Sequence, residues 1–248
     1  MNAVTTFVIP SVGRPTLENT IRSLVNQCNE RWKALVVLDG TSCSVTCGDP
    51  RVRIVRIEKQ GTENYAGEVR NAGMAMCDTE WVSFVDDDDV VSPHYVERLV
   101  GEINLKKTLD AVVFRMACNG GKHVLPENGV HDFVPGNVGI SFSFRRELFL
   151  RGIAFEPGGG EDFRLLQKIR SQGYRMVLSP AVTYYVQTQE RPEGLSDIQF
   201  NRAYINGFLP RVRLLAGFCR MTGDSVINLA SWVGGAMRGV TSRMHGIG

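Results

Sequence analysis

The chain has 248 residues, 43% hydrophobic and 22% charged, with a formal net charge of +2. This length suits one large domain or one domain with an appendage, and the composition is that of a soluble globular protein with a sizeable core. So small a net charge argues against nucleic acid as the main partner, and no apolar run approaches the roughly 20 residues that span a bilayer.

The first residues, MNAVTTFVIP, lack the basic and long apolar regions of a secretory leader and enter a strand at once. Cys28, Cys43, Cys47, Cys77, Cys118 and Cys219 are scattered, and the CSVTC spacing lacks the second pair that a zinc site usually wants. Together these features predict reduced thiols and a cytoplasmic location.

In chain order, TTFVIP (5–10) reads as a short buried strand. Thr16 to Cys28 follows with helical spacing at Leu17, Ile21, Leu24 and Cys28. ALVVLD (34–39) is the next apolar run, and RVRIVRI (51–57) alternates as a half-buried strand. GEVRNAGMAMC (67–77) reads as a helix and WVSFVD (81–86) as a buried strand. Ser92 and Pro93 then supply an N-cap and first-turn proline for a helix reaching about Lys107. DAVVFRM (110–116) and GISFSF (139–144) are strands, EDFRLLQKIRSQG (161–173) is a helix with a glycine stop, and YRMVLSPAVTYYV (174–186) reads as two short strands. Strands alternating with helices predict an α/β domain with a mostly parallel sheet covered on both faces. Ligands of such sheets bind beyond the carboxyl ends of the strands. That rule brings Pro10–Arg14, Asp39 and Asp86–Asp89 to one crevice.

Four consecutive aspartates, Asp86 to Asp89, end the strand WVSFVD with no basic residue nearby in sequence. In an extended segment Asp86 and Asp88 point the same way, roughly 6.5–7 Å apart at Cα. Two ionised carboxylates at that distance repel by about 2–3 kcal/mol at an effective dielectric near 20. A helix-capping role is weak, because Ser92-Pro93 already fills it. A divalent cation, Mn²⁺ or Mg²⁺, would remove the repulsion; a solvated acidic turn is the plainer alternative.

The ordered set VIPSVGRP (8–15), VVLDG (36–40), VRNAGMA (69–75), FVDDDDVVSP (84–93), SFRRELF (143–149) and GGGEDFRLLQKIRSQGYRM (158–176) resembles family 2 of the glycosyltransferases. The resemblance covers roughly residues 4–186. It implies the GT-A fold, a Rossmann-like mostly parallel sheet, and a nucleotide-sugar donor. Residues 1–190 would form the catalytic domain and 191–248 a helical C-terminal extension.

On that resemblance, Pro10, Ser11 and Arg14 lie in the loop that wraps base and ribose. Asp39 matches the aspartate that accepts the imide N–H of uracil, and a carboxylate suits uracil or guanine better than cytosine N3. Arg70 faces the nucleotide, Asp86 holds ribose or assists the metal, Asp88 ligates the metal, and Asp87 assists there. Asp89 has no assigned role. Plainer readings make Arg14 a surface residue, Asp39 a turn residue in LDGT and Arg70 a solvent-facing helix residue. Asp162 is the candidate general base, with the helix N-terminus expected to lower its pKa. Acids in a first helical turn are also explained by the macrodipole alone. The implied reaction is inverting transfer of a sugar from a UDP-sugar to an acceptor hydroxyl on a glycan, lipid-linked sugar, protein or modified nucleobase. Many family members carry a histidine after the strand matched by SPAVTYYV (179–186), and here QTQERPEG follows instead. His94, His123, His131 and His245 do not match that position and read as non-catalytic. Arg145-Arg146 reads as a helix flank.

Other readings of the same residues are open. Asp86-x-Asp88-x-Val90 resembles the haloacid-dehalogenase phosphatase motif, but that motif normally sits on a first strand and here other strands precede it. A non-catalytic nucleotide-sugar binding module would bind donor without turnover. From Gln199 the chain reads as helical, with breaks at Pro210 and Gly223. This tail has six arginines, no lysine and one acid, roughly +5. Val226, Ala230, Val233, Met237, Val240 and Met244 form one stripe, which Ile227 and Trp232 widen. Such a helix docks on the catalytic domain or a second subunit, or rests on an anionic membrane surface.

Overall fold

The computed structural model describes residues 2–61 and 65–187, together with the backbone of 220–221. The other tail residues, and with them the amphipathic stripe, lie outside the described residues.

Chain order is β1 (Thr5–Ser11), α1 (Leu17–Val25), β2 (Trp32–Asp39), β3 (Val45–Thr46), β4 (Val52–Ile57), α2 (Gly67–Ala75), β5 (Trp81–Phe84) and β6 (Val90–Val91). It continues through α3 (Tyr95–Leu105), β7 (Ala111–Cys118), β8 (His123–Leu125), β9 (Phe142–Arg145), α4 (Arg146–Leu150), α5 (Glu161–Ser171), β10 (Met176–Tyr185) and β11 (Arg220–Met221). One nine-stranded sheet runs β4-β2-β1-β5-β9-β7-β10-β6, with β8 paired to β7, and β11 pairs with β3 apart from it. β4, β2, β1 and β5 are mutually parallel. β9 runs against both β5 and β7, so β7 and its parallel partner β10 point the same way as β1. The sheet is therefore mostly parallel, as the alternating pattern requires.

β1 is buried along its whole length and β2 is buried at every residue but Lys33, which is why they read as continuous apolar runs rather than alternating ones. α1 buries Leu17, Thr20, Ile21 and Leu24, the one-face spacing of an amphipathic helix. β4 is an edge strand that is only half buried. Phe84, Phe142 and Phe155 pack edge-to-face or stacked in the core, with Phe144 beside them. A chain of buried hydroxyls crosses the same region: Thr5 Oγ1 lies 2.8 Å from Ser83 Oγ, Ser83 2.6 Å from Ser143, and Tyr95 Oη 3.1 Å from Ser143.

Two local expectations change. α3 begins at Tyr95, and Ser92 Oγ accepts the His94 N–H at 3.2 Å in the turn before it rather than capping the helix. The segment read as two strands is the single strand β10. Its register shifts between Leu178 and Val182, where the irregularity absorbs Pro180, a residue with no N–H to give the ladder. Arg145 closes β9 and bonds Glu80 and the Leu109 carbonyl, the plain flanking role expected of it. No helix among the described residues is long and apolar enough to cross a membrane.

Candidate active site

The carboxyl ends of β1, β2 and β5 lie side by side, because the three strands are parallel neighbours. Ser11, Asp39 and the aspartate run accordingly share one edge of the sheet, the edge predicted from their positions. Pro10 is buried within β1 and carries Ser11 to that edge.

The four aspartates form a tight turn rather than an extended segment: the Asp89 N–H donates to the Asp86 carbonyl at 3.1 Å. The turn divides their roles. Asp87 is buried and faces the β1 loop, where Ser11 Oγ donates at 2.6 Å and Arg14 Nη1 at 2.7 Å. Arg14 also reaches Asp88 at 3.4 Å. Asp86, Asp88 and Asp89 present carboxylate oxygens within 4.8 Å of one another. Such an all-oxygen, all-anionic set fits a hard divalent cation, and the crowding that would otherwise repel is the observation that supports one.

Asp89, which the sequence left without a role, is buried beneath this turn. Tyr184 Oη donates to it at 2.8 Å and the Gln187 N–H at 2.8 Å. Tyr184 Oη also accepts the Asp86 N–H at 3.2 Å, so β10 grips both ends of the turn. Thr20 Oγ1 donates to the Asp89 carbonyl at 2.7 Å, tying in α1. Burial, and then the Asp86 charge, hold the Asp89 carboxyl well above the usual carboxylate range.

Arg70 is buried on α2 and is not the solvent-facing residue of the plainer reading. Its Nη2 donates to Asp86 Oδ1 at 2.6 Å, its Nη1 bonds Glu161, and Asp162 Oδ1 lies 3.9 Å from Nη1. Its guanidinium also sits 5.4 Å from the centre of the Phe155 ring. Burial opposes the Arg70 charge, but the surrounding carboxylates raise its pKa further.

Glu161 was missed in the sequence. Its carboxylate accepts the Ala66 N–H at 3.3 Å and the Gly67 N–H at 3.1 Å, capping α2 from a distant part of the chain. A Cβ at Gly67 would lie 2.6 Å from Glu161 Oε2, so only glycine permits the contact. The clamp joins the N-termini of α5 and α2 and sets Asp162 beside Arg70.

Asp162 is 26% exposed, yet its Oδ1 is out of water and has no hydrogen-bond partner among the described residues. Loss of water raises the carboxyl to about 6, and Asp86 and Glu161 push the same way against Arg70. This corrects the expectation of a lowered value: desolvation and two neighbouring anions outweigh the pull of Arg70. A carboxylate poised near neutrality with an open acceptor position suits a general base.

Asp39 stands apart with its own partners. Lys59 Nζ lies 2.8 Å from Oδ2, and the Gln60 and Gly61 N–H groups donate at 2.6 and 3.0 Å. These contacts tie the segment after β4 to the end of β2.

An open, mostly parallel sheet with an acidic turn past a central strand describes the GT-A fold. The model of "Glycosyl transferase family 2" matches residues 6–155, more than half of the chain. The chain belongs to that family. Among solved structures it is similar to Staphylococcus aureus TarS 1–349 in complex with UDP-GlcNAc, at 17% identity over 79% of this chain and 61% of that one, with a TM-score of 0.62. It is also similar to the mannosyltransferase PcManGT from Pyrobaculum calidifontis in complex with GDP-Man and Mn²⁺, at 16% identity over 77% of this chain and 59% of that one, with a TM-score of 0.57. The chain spans about three-fifths of the length of each. At this identity the likeness shows the fold. No curated protein sequence matches.

Proposed function

We infer that the chain is an inverting, metal-dependent glycosyltransferase that moves a sugar from a UDP-sugar to an acceptor hydroxyl. One observation carries this reading: the buried Arg70 guanidinium joins the acidic turn, through Asp86 at 2.6 Å, to the open carboxylate of Asp162 at 3.9 Å. A diphosphate site and a base are thereby fixed to one another. Family membership and neighbours solved with UDP-GlcNAc or with GDP-Man and Mn²⁺ support a nucleotide-sugar donor.

Asp86 and Asp88, backed by Asp89, would hold the divalent cation, whose charge offsets the diphosphate and its growing negative charge on departure. Asp162 takes the proton of the acceptor hydroxyl as that oxygen bonds to the anomeric carbon. The bond from that carbon to the diphosphate oxygen breaks, and the electron pair leaves with the nucleotide. Attack opposite the leaving group inverts the anomeric centre. Arg14 and Ser11, held by Asp87, fix the loop over the nucleotide. The acceptor stays open among glycan, lipid-linked sugar, protein and modified nucleobase. The phosphatase alternative loses its ground, because the acidic motif follows β5 rather than a first strand.

Calorimetric titration with UDP, GDP and CDP, with and without Mn²⁺, tests the reading. Metal-dependent UDP binding that disappears in Asp88→Ala is the expected result. Absence of binding by every nucleotide in the unaltered chain would overturn it.

A further inference from the structure

The donors around Asp39 fill most of that carboxylate. Lys59 and the Gly61 N–H share Oδ2, and the Gln60 N–H takes Oδ1. A carboxylate has about four acceptor positions, so about one is left for a ligand. The lysine is seated by the backbone beneath it. Gly40 has φ 64°, and a Cβ there would lie 2.7 Å from Lys59 Cβ and 2.9 Å from its Cδ, so the lysine stem rests directly on the glycine. Its side chain is 53% exposed, while Asp39 is buried. The Gln60 and Gly61 N–H groups already give each Asp39 oxygen a donor, and an ammonium has three N–H groups. Lys59 therefore has hydrogens to offer a base that approaches Asp39.

We propose that Lys59 is a specificity-determining residue of the donor site, and that Lys59 with the nearly filled Asp39 selects uracil over guanine. This rests on reading the crevice as a nucleotide-sugar site. Uracil presents one N–H between two carbonyl oxygens. The N–H matches the single open position on Asp39, and a flanking carbonyl accepts from Lys59. Guanine presents two adjacent donors, N1–H and the N2 amino group, and needs both carboxylate oxygens. Oδ2 already accepts two donors, so only one of the pair could be met. Cytosine turns a ring nitrogen acceptor toward the carboxylate and is repelled.

The test is calorimetric titration in Mn²⁺ of the full chain and of Lys59→Met, which keeps the stem and removes the charge. In the unaltered chain UDP binds at least about tenfold more tightly than GDP or CDP, in the range that hydrogen-bonded recognition gives. In Lys59→Met, UDP weakens about tenfold while GDP and inorganic pyrophosphate change little, so the UDP preference narrows. A residue that only neutralised Asp39 would leave this ratio unmoved, and an unmoved ratio overturns the proposal. So does an unaltered chain that prefers GDP. N3-methyl-UDP supplies a reading that needs no variant: it binds the unaltered chain about tenfold more weakly than UDP, and equal binding overturns the proposal. Metal-dependent UDP binding with an unmoved ratio in Lys59→Met removes only the role of Lys59, whereas a preference for GDP also removes the UDP-sugar donor while leaving a nucleotide site. If no nucleotide binds at all, the donor-site reading falls and takes this one with it.

Discussion

Arg70 brings one positive charge to the carboxylates of Asp86, Glu161 and Asp162, so none of the three is fully neutralised. The consequence is largest at Asp162, raised to about 6 by desolvation and its anionic neighbours. A base acts in its deprotonated form, so kcat/KM falls as pH drops through about 6. The effect on folding has the opposite sense. Because the folded carboxyl lies above its unfolded value, its ionisation costs stability progressively between the ordinary aspartate range and about 6, and the full cost is present above that. Asp162→Asn is thus expected to lose about 10²–10⁴-fold in kcat yet melt no lower, and somewhat higher, at pH 7.5. A pH–rate profile and thermal melts of both proteins check this. Unchanged turnover in the Asn variant would remove Asp162 from the chemistry.

At the scale of elements, the site depends on the contact between the first turns of α2 and α5. Gly67→Ala would drive a methyl group into Glu161 and Phe155, whose Oε2 and Cβ lie 2.6 and 2.8 Å from the position it would take. We expect a loss of about 1–3 kcal/mol in urea unfolding with little change in slope, together with reduced turnover because Asp162 adjoins the displaced residue. Full stability in this variant would mean that the clamp is loose.

The same contact shows what the sequence could and could not disclose. β1 and β2 were legible as continuous apolar runs, and α1 and α5 because each buries a face whose spacing repeats. The aspartate run was legible because unpaired charge after a buried strand needs an explanation. Glu161 was hidden because its partners, Ala66 and Gly67, lie 95 and 94 residues away, and a first-turn glutamate is unremarkable alone. Asp89 and Tyr184 were hidden for the same reason, 95 residues apart and joined only by the fold. β6 and β8 have two and three residues, too few for a period, and exist because β10 and β7 offer them partners. Lys59 is nearer, 20 residues from Asp39, but nothing in GTSCS or RIEKQ signals that the two meet.

For the whole molecule, a nucleotide bound as proposed would link separate parts of the sheet. The nucleotide side proposed above would rest on β1, β2 and β5, while the acidic turn is held by Tyr184 of β10 near the far edge. Binding to the folded form alone should then stabilise the entire described unit rather than one lobe. UDP with Mn²⁺ at a hundred times Kd should add about 2.7 kcal/mol, which for a chain of this size raises Tm by about 5–10 °C. A single transition that moves as one, and does not move in Asp88→Ala, is the expected thermogram. Two transitions with only one shifted would show that the halves melt independently.

The hydroxyl chain from Thr5 through Ser83 and Ser143 to Tyr95 bears on how such a sheet assembles without error. Ser83 stands opposite Ser143 where β9 inserts against its neighbours, and a slip of one residue would set it opposite Phe142 or Phe144. The polar groups would then be stranded in a dry interior, each short of a partner and without water to replace it. Greasy side chains alone tolerate many alignments. Four small hydroxyls act instead as a parity check, cheap when the order of β1, β5 and β9 is right and failing at once when it is wrong.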